Sequence, residues 1–326
     1  MRSIKGKNVL VTGGAGFIGS YLVDLLLKKE ANRVVVLDNF FLGKESNLAI
    51  ARQYENFVVY KDDARHFGVL LSIMQKESID AVFNMATIAL KYSFINPLDA
   101  YMLNVEIMNS LLSLLKLQTY ETLVHASTSE AYGTGLYLPM DENHPLNPTT
   151  PYAGGKASAD LMALSLYKVH PDLDISIVRP FNNYGPRQND GFLAAIIPLV
   201  AKKILTGGKP VIEGDGSQTR DFLYVEDTAS AFLMAYENPK AIGKVINIGT
   251  GFEMSIKDVV MQIADYYEYK GDIEYHPART SDVKRLCAKT TLADEILGFR
   301  AATPFDKGLA ATLEWFRQGG INGFAL

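Results

Sequence analysis

A short apolar run, Val9-Leu10-Val11 closed by Thr12, breaks into Gly13-Gly14-Ala15-Gly16-Phe17-Ile18-Gly19 and then into an amphipathic stretch. No other feature constrains the fold as much. An unbroken run of β-branched and apolar residues reads as a buried strand, and the glycines read as a turn into a helix. Gly13 permits the tight turn, Gly16 lets backbone approach a pyrophosphate, and Gly19 lets helix pack on strand. A phosphate then meets the free N–H groups of a helix that begins near Phe17 and Ile18. The spacing is Gly-x-x-Gly-x-x-Gly, so the glycines alone leave a plain strand-to-helix turn open.

The next strand, Arg33 to Leu37, ends at Asp38. That is about 20 residues beyond the glycines, where a carboxylate accepts hydrogen bonds from both hydroxyls of an adenosine ribose. A carboxylate there repels a 2′-phosphate, and no arginine stands among Asn39, Phe40, Phe41 and Leu42 to offset it. The expected cofactor is therefore NAD and not NADP. Lys44 is the one residue that tempers the choice.

Further along, strands expected at Phe57 to Tyr60, Ala81 to Asn84 and Thr122 to Ala126 alternate with helical segments, one of them marked by Leu103, Ile107, Leu111, Leu114 and Leu115 from about Pro97 to Leu117. A helix-like stretch is also expected after Gly43-Lys44-Glu45. Strand and helix in alternation predict a Rossmann-type, doubly wound parallel sheet of α/β class. A sixth strand, Ile175 to Arg179, precedes shorter ones at Pro210 to Ile212 and Arg220 to Tyr224, and Val245 to Ile248 returns toward the sheet. Helices are expected over Asp227 to Glu237, Ile256 to Tyr267 and Phe305 to Phe316. The division expected is a nucleotide-binding domain over 1–180, with the strand return near 245–250, and a smaller α/β lobe over 181–326 that binds substrate.

A chain of 326 residues with net charge −4 offers no basic surface for a nucleic acid. Its single cysteine, Cys287, cannot form an internal disulfide and reads as core filler beside Leu286. With the first strand at Asn8 there is no room for a signal peptide, and no apolar run approaches the ~20 residues that span a bilayer. A cytoplasmic protein with no membrane partner and no metal is expected.

The chemistry is expected beyond the carboxyl ends of the strands. There the fifth strand runs into Ser127-Thr128-Ser129-Glu130, and a later helix opens with Tyr152-Ala153-Gly154-Gly155-Lys156. Ser127 and Glu130 alone could form a helix-capping box. Tyr152 and Lys156, four apart on one helix face, could be an aromatic ring under an aliphatic stem. Together and in this order they suggest a site.

With Asn104, Asn182-Asn183-Tyr184-Gly185-Pro186-Arg187 and Arg220-Asp221-Phe222-Leu223-Tyr224-Val225-Glu226-Asp227 added, the chain resembles the extended short-chain dehydrogenase/reductases that modify nucleotide sugars. One departure is Asn84-Met85-Ala86-Thr87, where relatives usually have His-Leu-Ala-Ala. The resemblance implies a tightly held NAD, contacted through the glycine turn, Asp38, Asn39, Asp63, Ala64, Met85, Ala86, Thr87, Asn104, Tyr152 and Lys156. It implies a nucleoside-diphosphate sugar held by Asn182, Asn183, Arg187, Arg220 and Arg279, and homodimers packed through the helices near 97–117 and 152–169. Arg279 could instead pair locally with Asp282.

In this resemblance Tyr152 takes the proton of the sugar 4-hydroxyl as C4 is oxidised, Thr128 holds the same oxygen, and Ser127 assists. A free tyrosine, with a pKa near 10, is a poor base at neutral pH until a cation such as Lys156 stabilises its phenolate. Glu130 occupies the place where 4,6-dehydratases carry the base that removes the C5 proton, whereas simple 4-epimerases usually have a small or neutral residue. Ser129 stands where glucose-type dehydratases have an aspartate acid. The reading is an NDP-hexose 4,6-dehydratase, with a 4-epimerase and then a glucuronate decarboxylase as alternatives. A decarboxylase needs an arginine to seat a C6 carboxylate, for which Arg187 and Arg279 are candidates. The alternative outside enzymes is a catalytically silent NAD sensor, although such proteins usually lack the Tyr or the Lys.

Overall fold

A computed structural model describes residues 1–278 and 283–320. In chain order the elements are β1 (Asn8–Thr12), α1 (Phe17–Lys28), β2 (Arg33–Asp38), β3 (Phe57–Lys61), α2 (Phe67–Lys76), β4 (Ala81–Asn84), α3 (Pro97–Lys116), β5 (Thr122–Ala126), α4 (Pro151–Val169) and β6 (Asp174–Pro180). There follow β7 (Asn182–Tyr184), α5 (Ile196–Leu205), β8 (Val211–Glu213), β9 (Thr219–Arg220), β10 (Phe222–Tyr224), α6 (Val225–Glu237), β11 (Val245–Ile248), β12 (Met254–Ser255), α7 (Ile256–Tyr266), β13 (Glu274–His276), α8 (Thr291–Leu297) and α9 (Phe305–Arg317).

Seven strands form one sheet in the order β3-β2-β1-β4-β5-β6-β11, and every neighbouring pair in it is parallel. The near-continuous apolar strands are those of a sheet covered on both faces. Leu22, Leu26 and Phe232, from α1 and α6, pack on one face; Leu70, Ile107, Leu111 and Ala159, from α2, α3 and α4, pack on the other. The chain runs outward from β1 to β2 and β3 on one side and from β4 onward on the other, so a crevice opens beyond the carboxyl ends of β1 and β4. The expected doubly wound sheet is present. So is the late return of Val245–Ile248, which pairs with β6. Among the described residues no helix is long and apolar enough to cross a membrane.

Two local expectations need correction. The stretch after Gly43 forms two short 3-10 turns, Glu45–Leu48 and Ala51–Gln53, in place of one helix. The run from Arg220 to Tyr224 is two strands broken at Asp221: β9 pairs antiparallel with β12, and β10 pairs parallel with β7. The break follows from the buried Asp221 carboxylate, which accepts hydrogen bonds from the backbone N–H groups of Thr250, Gly251 and Ala288. Asp221 thereby ties the segment to the chain beyond β11.

The helices that carry the site start at defined caps. Asn96 Oδ1 accepts from Asp99 N ahead of α3, and Thr150 Oγ1 accepts from Ala153 N ahead of α4, each cap being followed by proline at the first helical position. Tyr152 is thus the second residue of α4, with Lys156 one turn further on.

Candidate active site

A cleft of about 670 Å³ lies at the carboxyl edge of the sheet. Its wall holds the glycine turn, Asp38, Asn39, Asp63, Ala64, Met85, Ala86, Thr87, Ser127, Thr128, Ser129, Glu130, Tyr152 and Lys156. It also holds Asn182, Asn183, Arg187 and Arg220. Residues from distant parts of the chain thus meet in one place. Arg279 lies outside the described residues.

The glycine turn is sterically committed. Gly13 has φ +67°, and a Cβ there would lie 2.7 Å from the Cα and N of Ala86. A Cβ on Gly19 would lie 2.3 Å from Gly13 O. The turn therefore sits directly against the segment after β4, and α1 begins at Phe17 after the N-cap Gly16, with no side chain capping its first N–H groups. Uncapped N–H groups facing a cleft suit an anion.

Asp38 is buried, and its carboxylate accepts from Ala15 N at 2.9 Å through Oδ2 and from Phe40 N at 2.8 Å through Oδ1. Burial raises its pKa, and these backbone donors oppose the shift. A carboxylate offers about four acceptor positions, and with Gly16 N also bearing on it, capacity remains for a hydroxyl.

Tyr152 and Lys156 share the helix face expected of them. Burial pushes the Tyr152 phenol up to about 12; the hydroxyls of Thr128 and Thr87 pull it down, and the carboxylates of Glu130 and Asp160 push it up. Lys156 is buried and donates through Nζ to Ala126 O at 2.7 Å. Burial draws its pKa down to about 8, while the Asp160 carboxylate holds it up. Lys156 thus lies one turn of α4 from the phenol.

Asp160 was not anticipated from sequence, yet it continues the spacing of four as Tyr152, Lys156, Asp160. Its Oδ2 accepts from Ser127 Oγ at 2.5 Å and from Arg179 Nη2 at 2.6 Å, and its Oδ1 faces His125 Nε2 across 3.6 Å. His125 is kept neutral by burial, assisted by the Lys156 and Arg179 cations. From His125 the polar row continues across the sheet through Asn84 at 3.0 Å to Thr12 at 2.7 Å. Residues two apart on a strand share a face, so Ser127 follows His125 toward Asp160 while Thr128 turns to the opposite side.

This alternation closes the capping alternative. Ser127 forms no capping box with Glu130: the cap of the short turn Ser129–Tyr132 is Thr128, whose Oγ1 accepts from Glu130 N at 3.3 Å. The Ser127 hydroxyl is held by Asp160 and Arg179. Asn104 is buried behind the cleft wall, donating to Ala100 O and accepting from Thr87 Oγ1 at 2.9 Å.

The substrate-side residues divide in the same way. Arg187 ion-pairs with Asp24 of α1 at 2.8 Å and lies over the Tyr21 ring at 4.6 Å, so its charge is already matched. Asn183 donates to Phe181 O and accepts from Thr228. Among the described residues Asn182 Oδ1 is a buried acceptor, and Arg187 Nη1 a buried donor, without a hydrogen-bond partner. Arg220 is buried at the cleft and donates to Thr219 O at 2.8 Å.

Residues 10–312 match the family model for GDP-mannose 4,6 dehydratase. The chain is similar to the UDP-glucose 4-epimerase of Mycolicibacterium smegmatis, with 35% identity over 95% of this chain and 98% of that protein. It is similar to the UDP-N-acetyl-alpha-D-glucosaminuronate decarboxylase of Bacillus cytotoxicus, with 30% identity over 96% of this chain and 98% of the relative. A third likeness is to the solved structure of DesIV, a dTDP-glucose 4,6-dehydratase of Streptomyces venezuelae crystallised with NAD. The TM-score is 0.89 at 29% identity, over 95% of this chain and 97% of that one. Three reactions are therefore represented at similar distances.

Proposed function

The chain belongs to the GDP-mannose 4,6-dehydratase-like family, within the NAD-dependent nucleotide-sugar epimerases and dehydratases of the extended short-chain dehydrogenase/reductase group, and from that premise we propose that it is an NDP-hexose 4,6-dehydratase. The observation that carries the choice is the Glu130 carboxylate, on the same cleft wall as Tyr152 and Thr128 and close enough to the phenol to raise its pKa.

The residues present fit NAD. The turn at Gly13 and the uncapped start of α1 suit its pyrophosphate, and Asp38 suits its adenosine ribose. When bound, NAD supplies reversible two-electron oxidation at C4 of the sugar. Tyr152 takes the proton of the 4-hydroxyl, and Thr128 holds that oxygen. Lys156 is the cation that would favour the phenolate against the burial that raises the phenol. The resulting ketone acidifies C5; Glu130 removes that proton and, once protonated, would hand it to the departing 6-hydroxyl, which leaves as water with a C5–C6 double bond formed. Arg220 and the unpartnered Asn182 Oδ1 face the nucleoside-diphosphate sugar, Arg220 toward its diphosphate. For a decarboxylase the seat for a carboxylate is weakened, because Asp24 already neutralises Arg187.

The same reading makes the protein a homodimer through α3 and α4, which pack together and leave Leu98, Tyr101, Met102 and Leu161 exposed. Binding titrations are expected to give NADP at least ten-fold weaker affinity than NAD. Unpaired repulsion at Asp38 exceeds ~1.4 kcal/mol, which is one decade in affinity. Equal affinities would overturn the assignment. Incubation with a panel of nucleotide sugars followed by mass spectrometry tests the reaction: loss of water supports the dehydratase, loss of carbon dioxide a decarboxylase, and unchanged mass with a new NMR signature an epimerase. A silent sensor forms no new sugar.

A further inference from the structure

Discrimination against a 2′-phosphate needs more than one carboxylate. Cations close by must also be unable to answer the phosphate. Lys44 is the cation nearest in sequence to Asp38 on the cleft wall, and its position is tightly set. Lys44 N donates to Ala15 O at 3.1 Å, the same residue whose N–H binds Asp38 Oδ2. Gly43 lies against the carboxylate, since a Cβ on it would come within 2.7 Å of Asp38 Oδ1. A free ammonium in this position would offset the charge of Asp38 toward a phosphate.

The ammonium is already engaged. Lys44 Nζ forms an ion pair at 2.7 Å with Asp190 Oδ1, a residue beyond β7 and on the opposite side of the chain's midpoint. Asp190 is well placed to keep it. Its carboxyl is held below the ordinary aspartate value by the Lys44 hydrogen bond and charge and by the Lys202 charge, against a desolvation that works the other way. Lys202 also donates to the Asp190 backbone carbonyl at 3.3 Å, which anchors the segment. Arg65, also on the cleft wall, is matched in the same manner by Asp63 at 2.8 Å and Asp99 at 3.0 Å.

We propose that Asp190 is a determinant of dinucleotide specificity: by pairing with Lys44 it occupies a cation that could otherwise accept a 2′-phosphate beside Asp38. The inference rests on the reading of the cleft as an NAD site. It extends the specificity determinant from the end of β2 to a residue far away in sequence. Asp190 also faces the Lys202 charge, so the part of its influence that acts through Lys44 is the part that Lys44→Met abolishes.

A double-mutant cycle tests this by binding, with no turnover required. NAD and NADP dissociation constants are measured at low ionic strength on protein freed of dinucleotide, for wild type, Asp190→Asn, Lys44→Met and the double variant. Asp190→Asn is expected to tighten NADP by at least about three-fold, in the upper range for a partly exposed ion pair, with NAD unchanged. Lys44→Met and the double variant should not gain NADP affinity. The gain should also fade at high salt, as a screened charge effect must. An unchanged NADP constant in Asp190→Asn overturns the proposal. So does a parallel weakening of NAD and NADP in both single variants, because the pair would then merely hold two loops together. If wild type binds neither dinucleotide, the cofactor reading itself fails, an outcome separate from NAD binding with no response to Asp190→Asn.

Discussion

Tyr152→Phe is expected to lower turnover at least about a hundred-fold, the contribution typical of a positioned acid–base group. NAD and nucleotide-sugar affinities should stay near those of the parent. The substitution removes one oxygen from a ring that is otherwise fixed by the start of α4, and the cap at Thr150 does not depend on that oxygen. Lys156 keeps its bond to Ala126 O and its counter-charge at Asp160. The loss therefore falls on proton transfer and not on binding. Rates read by product formation and affinities read by titration separate the two. A variant that kept more than about a tenth of the rate would show that another group is the base.

Glu130→Gln is the second large effect, and it divides the reaction into halves. Oxidation at C4 needs Tyr152, Lys156 and Thr128; removal of the C5 proton needs a carboxylate. Glutamine keeps the size and the backbone bond from residue 130 to Thr128 Oγ1 while lacking a basic oxygen. The variant should therefore still oxidise C4, read as absorbance of the reduced nicotinamide, yet release water at least about a hundred-fold more slowly. Turnover like that of the parent in Glu130→Gln would remove Glu130 from the chemistry.

What was legible in the sequence was local. Apolar runs such as Arg33–Asp38 and Thr122–Ala126 declare strands, and the glycine turn declares its helix, because the constraint lies within a few residues. The alternation of side chains beyond β5 was legible as well. Ser127 follows His125 toward Asp160, so the capping box left open for Ser127 could have been rejected from a period of two. The ion pairs were not legible. Asp160 with Arg179, Asp24 with Arg187 and Lys44 with Asp190 join residues that only the closed fold brings together, and nothing in the local pattern marks a buried arginine's partner. Arg187 shows the consequence: from sequence it was a candidate anion clamp, and in the fold its charge is matched by α1.

The central claim is that Glu130 moves a proton at C5 after Tyr152 has allowed oxidation at C4. Its most direct test is the product formed in deuterium oxide, analysed by mass and by NMR. A 4,6-dehydratase must return to C6 the electrons taken from C4, and C5 must regain its hydrogen from solvent. The expected product is a sugar that has lost one water and carries a single deuterium at C5. A product of unchanged mass with no deuterium on carbon would contradict it, and would make the protein a 4-epimerase in which Glu130 leaves C5 untouched.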